Sequence, residues 1–249
     1  PVANQGRVVV YAVGGLEAVG GYVQDAGSTE LRGGRLASVR GIEVRSGSLS
    51  GAGLISGSVT NAAVVRAGDP SGPLRVAGDF HQSAAGRLVM SALRTPASRE
   101  QAPLEVWGEV FLEGTLKVTS PPGIAWEAGD RVALVTSDRL RGGLDQLELP
   151  PLPSGVHWEV EATAGAFHAV VAAGESEPRL SMVTAPGKPP RLRLSGALPL
   201  EVGVEVSTDL VTWTALPSRL EFSDDGVGVG GLPEFLSAES VFFRTVTRR

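Results

Sequence analysis

The chain has 249 residues, no cysteine and a formal net charge of −5. These values exclude a disulfide framework, a Cys-based zinc site and a catalytic Cys. They also argue against nucleic acid as the main partner, because phosphate binding needs a basic patch. Glycine makes up 33 residues, while Phe, Trp and Tyr together are only 5%. Without a three-residue collagen period, glycine belongs at turns, where φ > 0 costs nothing. The core is then thin, built from stacked Val, Leu, Ile and Ala. No apolar run approaches the roughly 20 residues of a membrane helix.

The chain opens Pro1-Val2-Ala3, and Arg7-Val8-Val9-Val10-Tyr11 already reads as a strand. This start implies a fragment or processed product with further repeats upstream. Helical periodicity is nearly absent, apart from one short turn between Pro233 and Ser240. From residue 14 to 118 an apolar phrase recurs, punctuated by glycine. Val19-Gly20-Gly21-Tyr22-Val23-Gln24 returns as Val76-Ala77-Gly78-Asp79-Phe80-His81-Gln82, and in part as Val106-Trp107-Gly108-Glu109-Val110-Phe111. Short alternating segments lie between, such as Ile42-Glu43-Val44, Val59-Thr60, Leu74-Arg75-Val76, Leu104-Glu105-Val106 and Thr115-Leu116-Lys117-Val118. Repeats with this punctuation predict stacked β-rungs. Residues 94–103 interrupt the pattern and read as an exposed loop.

Past residue 120 the strands lengthen, as in Arg131 to Thr136, and Trp158 to Val171 reads as a hairpin around Ala164-Gly165. An open stack end exposes backbone donors and acceptors, and residues 121–178 are expected to cap it. Segments 174–178 and 186–190 are linker-like. The remainder offers about six short strands, whose spacing suits a small antiparallel sandwich. The expected fold is therefore all-β. A right-handed parallel β-solenoid spans 1–120, a β cap with a hairpin 121–178, and a small C-terminal β-sandwich 179–249.

Several phrases between Gly20 and Val118 resemble the passenger repeats of bacterial autotransporter-type adhesins. They include Leu49-Ser50-Gly51-Ala52-Gly53, Ile55-Ser56-Gly57-Ser58-Val59-Thr60-Asn61, Ala67-Gly68-Asp69-Pro70-Ser71-Gly72-Pro73-Leu74 and Leu112-Glu113-Gly114-Thr115-Leu116. The resemblance implies right-handed parallel β-helices displayed outside the cell. The tail phrase Val206-Ser207-Thr208-Asp209-Leu210-Val211-Thr212-Trp213, closing with Phe242-Phe243-Arg244, looks like a C-terminal domain of large secreted bacterial surface proteins. No long membrane β-barrel follows the repeats, so an autotransporter's own export route is not implied.

No catalytic, cofactor or metal set stands out. His81, His157 and His168 are widely separated; the last two are expected to face each other in the hairpin, without a third ligand for a metal. Asp69, Asp79, Glu105 and Glu109 are the acids that would have to meet on one face of a polysaccharide-active β-helix. Gly51-Ala52-Gly53 and Gly226 to Gly231 mimic a dinucleotide fingerprint but open no helix. Asp209 and Asp224-Asp225 read as turn residues, short of the six to eight oxygens Ca²⁺ needs. Trp213 reads as sandwich core. Trp107 and Trp126 are the candidate partner contacts; if Val106 points inward, its neighbour Trp107 points out. The favoured function is a non-enzymatic extracellular or cell-surface protein, adhesin-like or structural, contacting surface polysaccharide or another surface protein. The alternatives are a filament or sheath subunit that self-associates through strand edges, and a polysaccharide-active enzyme.

Overall fold

The computed structural model describes residues 1–92, 101–174, 179–183, 191–195, 202–216, 219–223, 226–229 and 240–247. Among them the chain is all-β, with 27 strands numbered in chain order and no helix. Most of the loop read at 94–103, most of both linker-like segments, Asp224-Asp225 and the helical turn from Pro233 lie outside the described residues.

A first set of strands holds β1 (Val2–Asn4), β4 (Tyr22–Gln24), β6 (Ile42–Val44), β8 (Val59–Asn61), β11 (Phe80–Gln82), β14 (Glu109–Leu112) and β17 (Arg139–Leu144). They lie side by side in that order, and every pair is parallel. Their register puts Val2, Tyr22, Ile42, Val59, Phe80, Val110 and Leu140 in one column. A second set holds β2 (Arg7–Tyr11), β5 (Ser28–Ala37), β7 (Ser48–Ser56), β9 (Val64–Ala67), β12 (Arg87–Ser91), β15 (Thr115–Thr119) and β18 (Gln146–Glu148). The third set is β3 (Gly15–Glu17), the C-terminal parts of β5 and β7, then β10 (Leu74–Val76), β13 (Leu104–Val106) and β16 (Arg131–Thr136). The chain visits first, second and third sets in turn and returns to the first. This route is how a parallel partner is reached without a helical crossover.

Alternation explains what the sets bury. In β4, β6, β8, β10, β11 and β13 the outer two residues point inward and the middle one outward. Tyr22, Ile42, Val59, Phe80 and Val110 are all at most 1% exposed, as are Leu36, Ile55, Leu74 and Leu104. A one-residue slip would turn these columns out to solvent, so the pattern fixes register. Two buried amide pairs interrupt the apolar column at the end of the first set. Asn4 Nδ2 donates to Gln24 Oε1 (2.9 Å), and Asn61 Nδ2 donates to Gln82 Oε1 (2.9 Å). Their remaining groups bond corner backbone, as in Ala63 N–H to Asn61 Oδ1 (3.1 Å) and Gln82 Nε2 to Glu113 O (2.7 Å). A buried amide left unpaired would cost about 1–3 kcal/mol, so these residues lock the corners only because each is partnered. Glycine is required at Gly51, with φ of 104° and a Cβ position that would collide with the Leu31 carbonyl oxygen.

Parallel pairing runs beyond the boundary expected at residue 120 and ends with β16, β17 and β18. Antiparallel strands then take over. β20 (Ala166–Ala173) pairs with β16 and forms a hairpin with β19 (Val156–Ala162). β25 (Leu220–Ser223) pairs with β17, and β26 (Gly226–Val229), β22 (Arg191–Ser195) and β21 (Arg179–Val183) extend the same sheet. Part of the expected separate tail therefore continues the sheet of the repeats. The physical reason is the free backbone edge of β17, which β25 satisfies. Phe222 of β25 stacks edge-on against Phe167 at 4.8 Å and joins the main core. A three-stranded sheet remains apart from this: β23 (Val202–Ser207) lies between β24 (Thr214–Leu216) and β27 (Phe242–Thr247). Its Val204, Val206 and Leu216 form a small second core with Leu192 of β22, so it packs against the end of the extended sheet.

Candidate functional site

Trp107 stands at the corner between β13 and β14. Val106 is 4% exposed and Trp107 is 58% exposed, as strand alternation demands. The corner is held from below: the Trp107 backbone N–H donates to Val76 O (2.9 Å), and Glu109 N–H donates to Asp79 Oδ1 (2.9 Å). Asp79 N–H in turn donates to Ser58 Oγ (3.1 Å). Three successive corners are thus tied together.

The outward residues of β14 continue this surface. Phe111, half-buried, meets the ring of His81 at 5.0 Å, and Phe111 sits opposite Arg141 in the ladder. Arg141 pairs with Glu109 at 2.9 Å. Glu109 and Phe111 share the outward parity of β14. Flat rings beside a fixed carboxylate–guanidinium pair can stack on an apolar face while donating and accepting hydrogen bonds. Sequence reading did not single out Phe111; the signal was present in its alternation with Val110 and Leu112, but the partnership with His81 depends on rung register.

The structure corrects the other candidate contact. Trp126 is 5% exposed and packs edge-on against Trp158, with ring centroids 5.2 Å apart. Its ring belongs to the core, because the segment after β15 folds back over the end of the apolar interior. His168 is also buried, at 8% exposed, and lies opposite Glu161 rather than His157. The hairpin register separates the two histidines: His157 pairs with Ala172 and contacts Gly174 O (3.1 Å) and Glu159 (3.4 Å).

Of the four acids read as candidates, Asp79 and Glu109 adjoin at one corner, while Asp69 and Glu105 make contacts of their own. Asp69 caps its own turn, accepting from Ser71 N–H at 2.7 Å. Asp79 accepts from the Glu109 backbone. Glu105 pairs with Arg75 (2.8 Å) and Glu109 with Arg141 (2.9 Å). No group of three or more metal-ligating side chains occurs among the described residues. No described helix is long and apolar enough to cross a membrane.

The tail holds a different arrangement. The Asp209 carboxylate accepts from Thr212 N–H (2.7 Å), Val211 N–H (2.8 Å) and Ser207 Oγ (2.9 Å). These bonds, led by the backbone of Thr212, pull its pKa down to about 2. The turn forces Leu210 to a φ of 61° and leaves Leu210 and Val211 at 56% and 82% exposed. Trp213 lies under the Arg244 guanidinium at 4.2 Å, and Arg244 also pairs with Glu205 (2.6 Å). Trp213 is thus half-buried beneath a cation instead of in the sandwich core. No known protein family, curated protein or solved structure matches the chain.

Proposed function

We propose that residues 1–148 form a right-handed parallel β-solenoid and that the protein is a non-enzymatic extracellular surface rod, adhesin-like in its contacts. The antiparallel strands β19, β20 and β25 serve as its cap. The observation that carries the reading is the in-register parallel column from Val2 to Leu140, repeated through first, second and third sets. A stack of this kind is stiff along its axis, because every rung hydrogen-bonds both neighbours. Its faces present side chains in rows and suit distributed contacts with an extended polymer. The surface around Trp107, with Phe111, His81 and the Glu109–Arg141 pair, offers stacking and hydrogen bonding to a polysaccharide. Glu105 and Glu109 are each held by an arginine and Asp69 and Asp79 by backbone N–H groups, which disfavours the paired acids of a glycosidase.

A polysaccharide panel tests this, scoring retention of the purified chain and release of new sugar ends together. Retention without release is expected, and Trp107→Ala should lower it about tenfold without changing the melting temperature, since the indole is exposed. Release of sugar ends would overturn the reading in favour of an enzyme. Neither retention nor release would overturn the adhesin and favour an assembly subunit.

A further inference from the structure

Charge is shared unevenly among the strand sets. Across the second set, counting only the N-terminal parts of β5 and β7, stand five cations, Arg7, Arg32, Arg66, Arg87 and Lys117, and two acids, Glu30 and Glu148. The set therefore carries an excess of three positive charges in a chain whose formal net charge is −5. The first set is balanced, with Arg139 and Arg141 against Glu43 and Glu109. A whole-chain total averages this face away.

Register turns these residues into a stripe. Glu30, Arg66, Lys117 and Glu148 share one outward column, with Ser50 and Val89 at the steps between. Arg7 and Arg87 share the next outward column. The seven strands, at roughly 4.8 Å spacing, carry the stripe over about 30 Å. Their chain neighbours Leu31, Val65, Leu88 and Leu116 are buried, and alternation turns the charges out. Glu30 meets Arg7 (3.0 Å) and Arg32 (2.6 Å), and Glu148 meets Arg87 (3.1 Å) and Lys117 (2.6 Å). Each acid is thus shared by two cations, and each cluster keeps one positive charge over. Hydrogen bonds, from Arg32 to Glu30 and from Lys117 to Glu148, hold both carboxyls below their usual range. Arg66 stands exposed between the clusters and has no ion pair among the described residues. At the corner leading into this set, Asp25 faces Arg45 (3.7 Å), and Glu113 and Asp145 face Arg219 (2.9 and 3.4 Å), so these bordering acids are themselves paired.

Spaced positive charges fit a polymer with spaced negative ones. Duplex DNA carries a charge about every 1.7 Å, far denser than this stripe can match. A polyuronate carries one carboxylate per sugar ring, a repeat close to the strand spacing. Ser50 and Val89 are small enough to let a ring approach between the cations. We infer that the second strand set binds an acidic polysaccharide running across the strands, its carboxylates seated on Arg7 and Arg32, on Arg66, and on Arg87 and Lys117. The choice of a polysaccharide rests on the surface-protein reading above; the cationic stripe rests on strand register alone.

The test is fluorescence anisotropy with a labelled oligogalacturonate of about seven rings, the length of the stripe at one ring per strand. Its methyl ester, which has the same backbone without charge, is the control, and a short DNA duplex is the competitor. At about 0.01 M ionic strength, where the screening length is about 30 Å, the free acid should bind and the ester should not. The combined variant Arg32→Gln, Arg66→Gln, Arg87→Gln leaves Glu30 with Arg7 and Glu148 with Lys117 and brings the set to charge balance. It should bind the free acid about tenfold or more weakly. Its melting temperature should hold, since exposed ion pairs contribute little. Should it not fold, Arg66→Gln alone, which breaks no ion pair, should still weaken binding about twofold. Equal binding of acid and ester, unchanged binding by the variants, or DNA bound as tightly as the uronate would each overturn the proposal. Retention on a neutral polysaccharide that depends on Trp107 would survive that failure, and uronate binding that depends on the three arginines would survive the loss of the Trp107 surface, so the two readings fail separately.

Discussion

The stacked rungs and the three-stranded tail sheet hold themselves together by different means. In residues 1–148 buried side chains of neighbouring parallel strands stand in register, and one core runs along their columns. The tail sheet has a core of only a few residues and depends on local chemistry: the Asp209 turn and the Arg244–Trp213–Glu205 cluster. Repetition spreads stability over many equivalent contacts, whereas a small sheet concentrates it in one turn. Damage to a rung should therefore be felt by its neighbours, and damage to the turn should remain local.

The severest break of that contrast is Gly51→Ala. The added Cβ meets backbone rather than a movable side chain, at a φ that L-residues avoid. A loss of about 4 kcal/mol or more is expected. Hydrogen exchange should show β5, β7 and β9 losing protection together while β23, β24 and β27 keep theirs. Uniform loss over the whole chain would show that rungs and tail unfold as one unit.

Phe80→Ala comes next. Phe80 is 1% exposed, between Val59 and Val110 in the column. Its truncation should cost about 3–5 kcal/mol, read from urea unfolding. A cost below about 1 kcal/mol would mean that neighbouring rungs collapse into the space and that the stack is softer than its register implies.

The smallest effect belongs to the Asp209 turn. Its folded pKa, about 2, lies below the ordinary 3.8. A depressed carboxyl pKa stabilises the folded turn above the unfolded value, and that contribution is lost as pH falls through the folded pKa. The Val211 and Thr212 amides should thus keep slow exchange, relative to intrinsic rates, down to about pH 4 and lose it towards pH 2. Exchange in β4 to β14 should not follow. If the rungs lose protection over the same interval, the proposed independence fails.

Much of the strand pattern was legible because it rests on local alternation. Arg7–Tyr11, Leu74–Val76, Leu104–Val106 and Arg131–Thr136 coincide with β2, β10, β13 and β16. The recurring phrase placed Tyr22 with Phe80 and Val110, and Gln24 with Gln82, which share columns in the structure. The exposure of Trp107 followed from the same alternation. Trp126 could not be read this way, since it lies in a segment without alternation and its burial depends on Trp158, 32 positions away. The facing of His157 and His168 failed because hairpin register is fixed by the turn, not by composition.

By itself, then, the sequence determined the all-β class, the inward columns and the turn positions, since these follow from side-chain alternation and glycine's backbone freedom. Only the tertiary structure decided that β25 would join β17, that Asn61 would meet Gln82, and that the Asp79 carboxylate would accept from the Glu109 N–H. Each of those outcomes depends on which distant backbone edge or polar atom arrives to fill a free hydrogen bond, and no local pattern encodes that arrival.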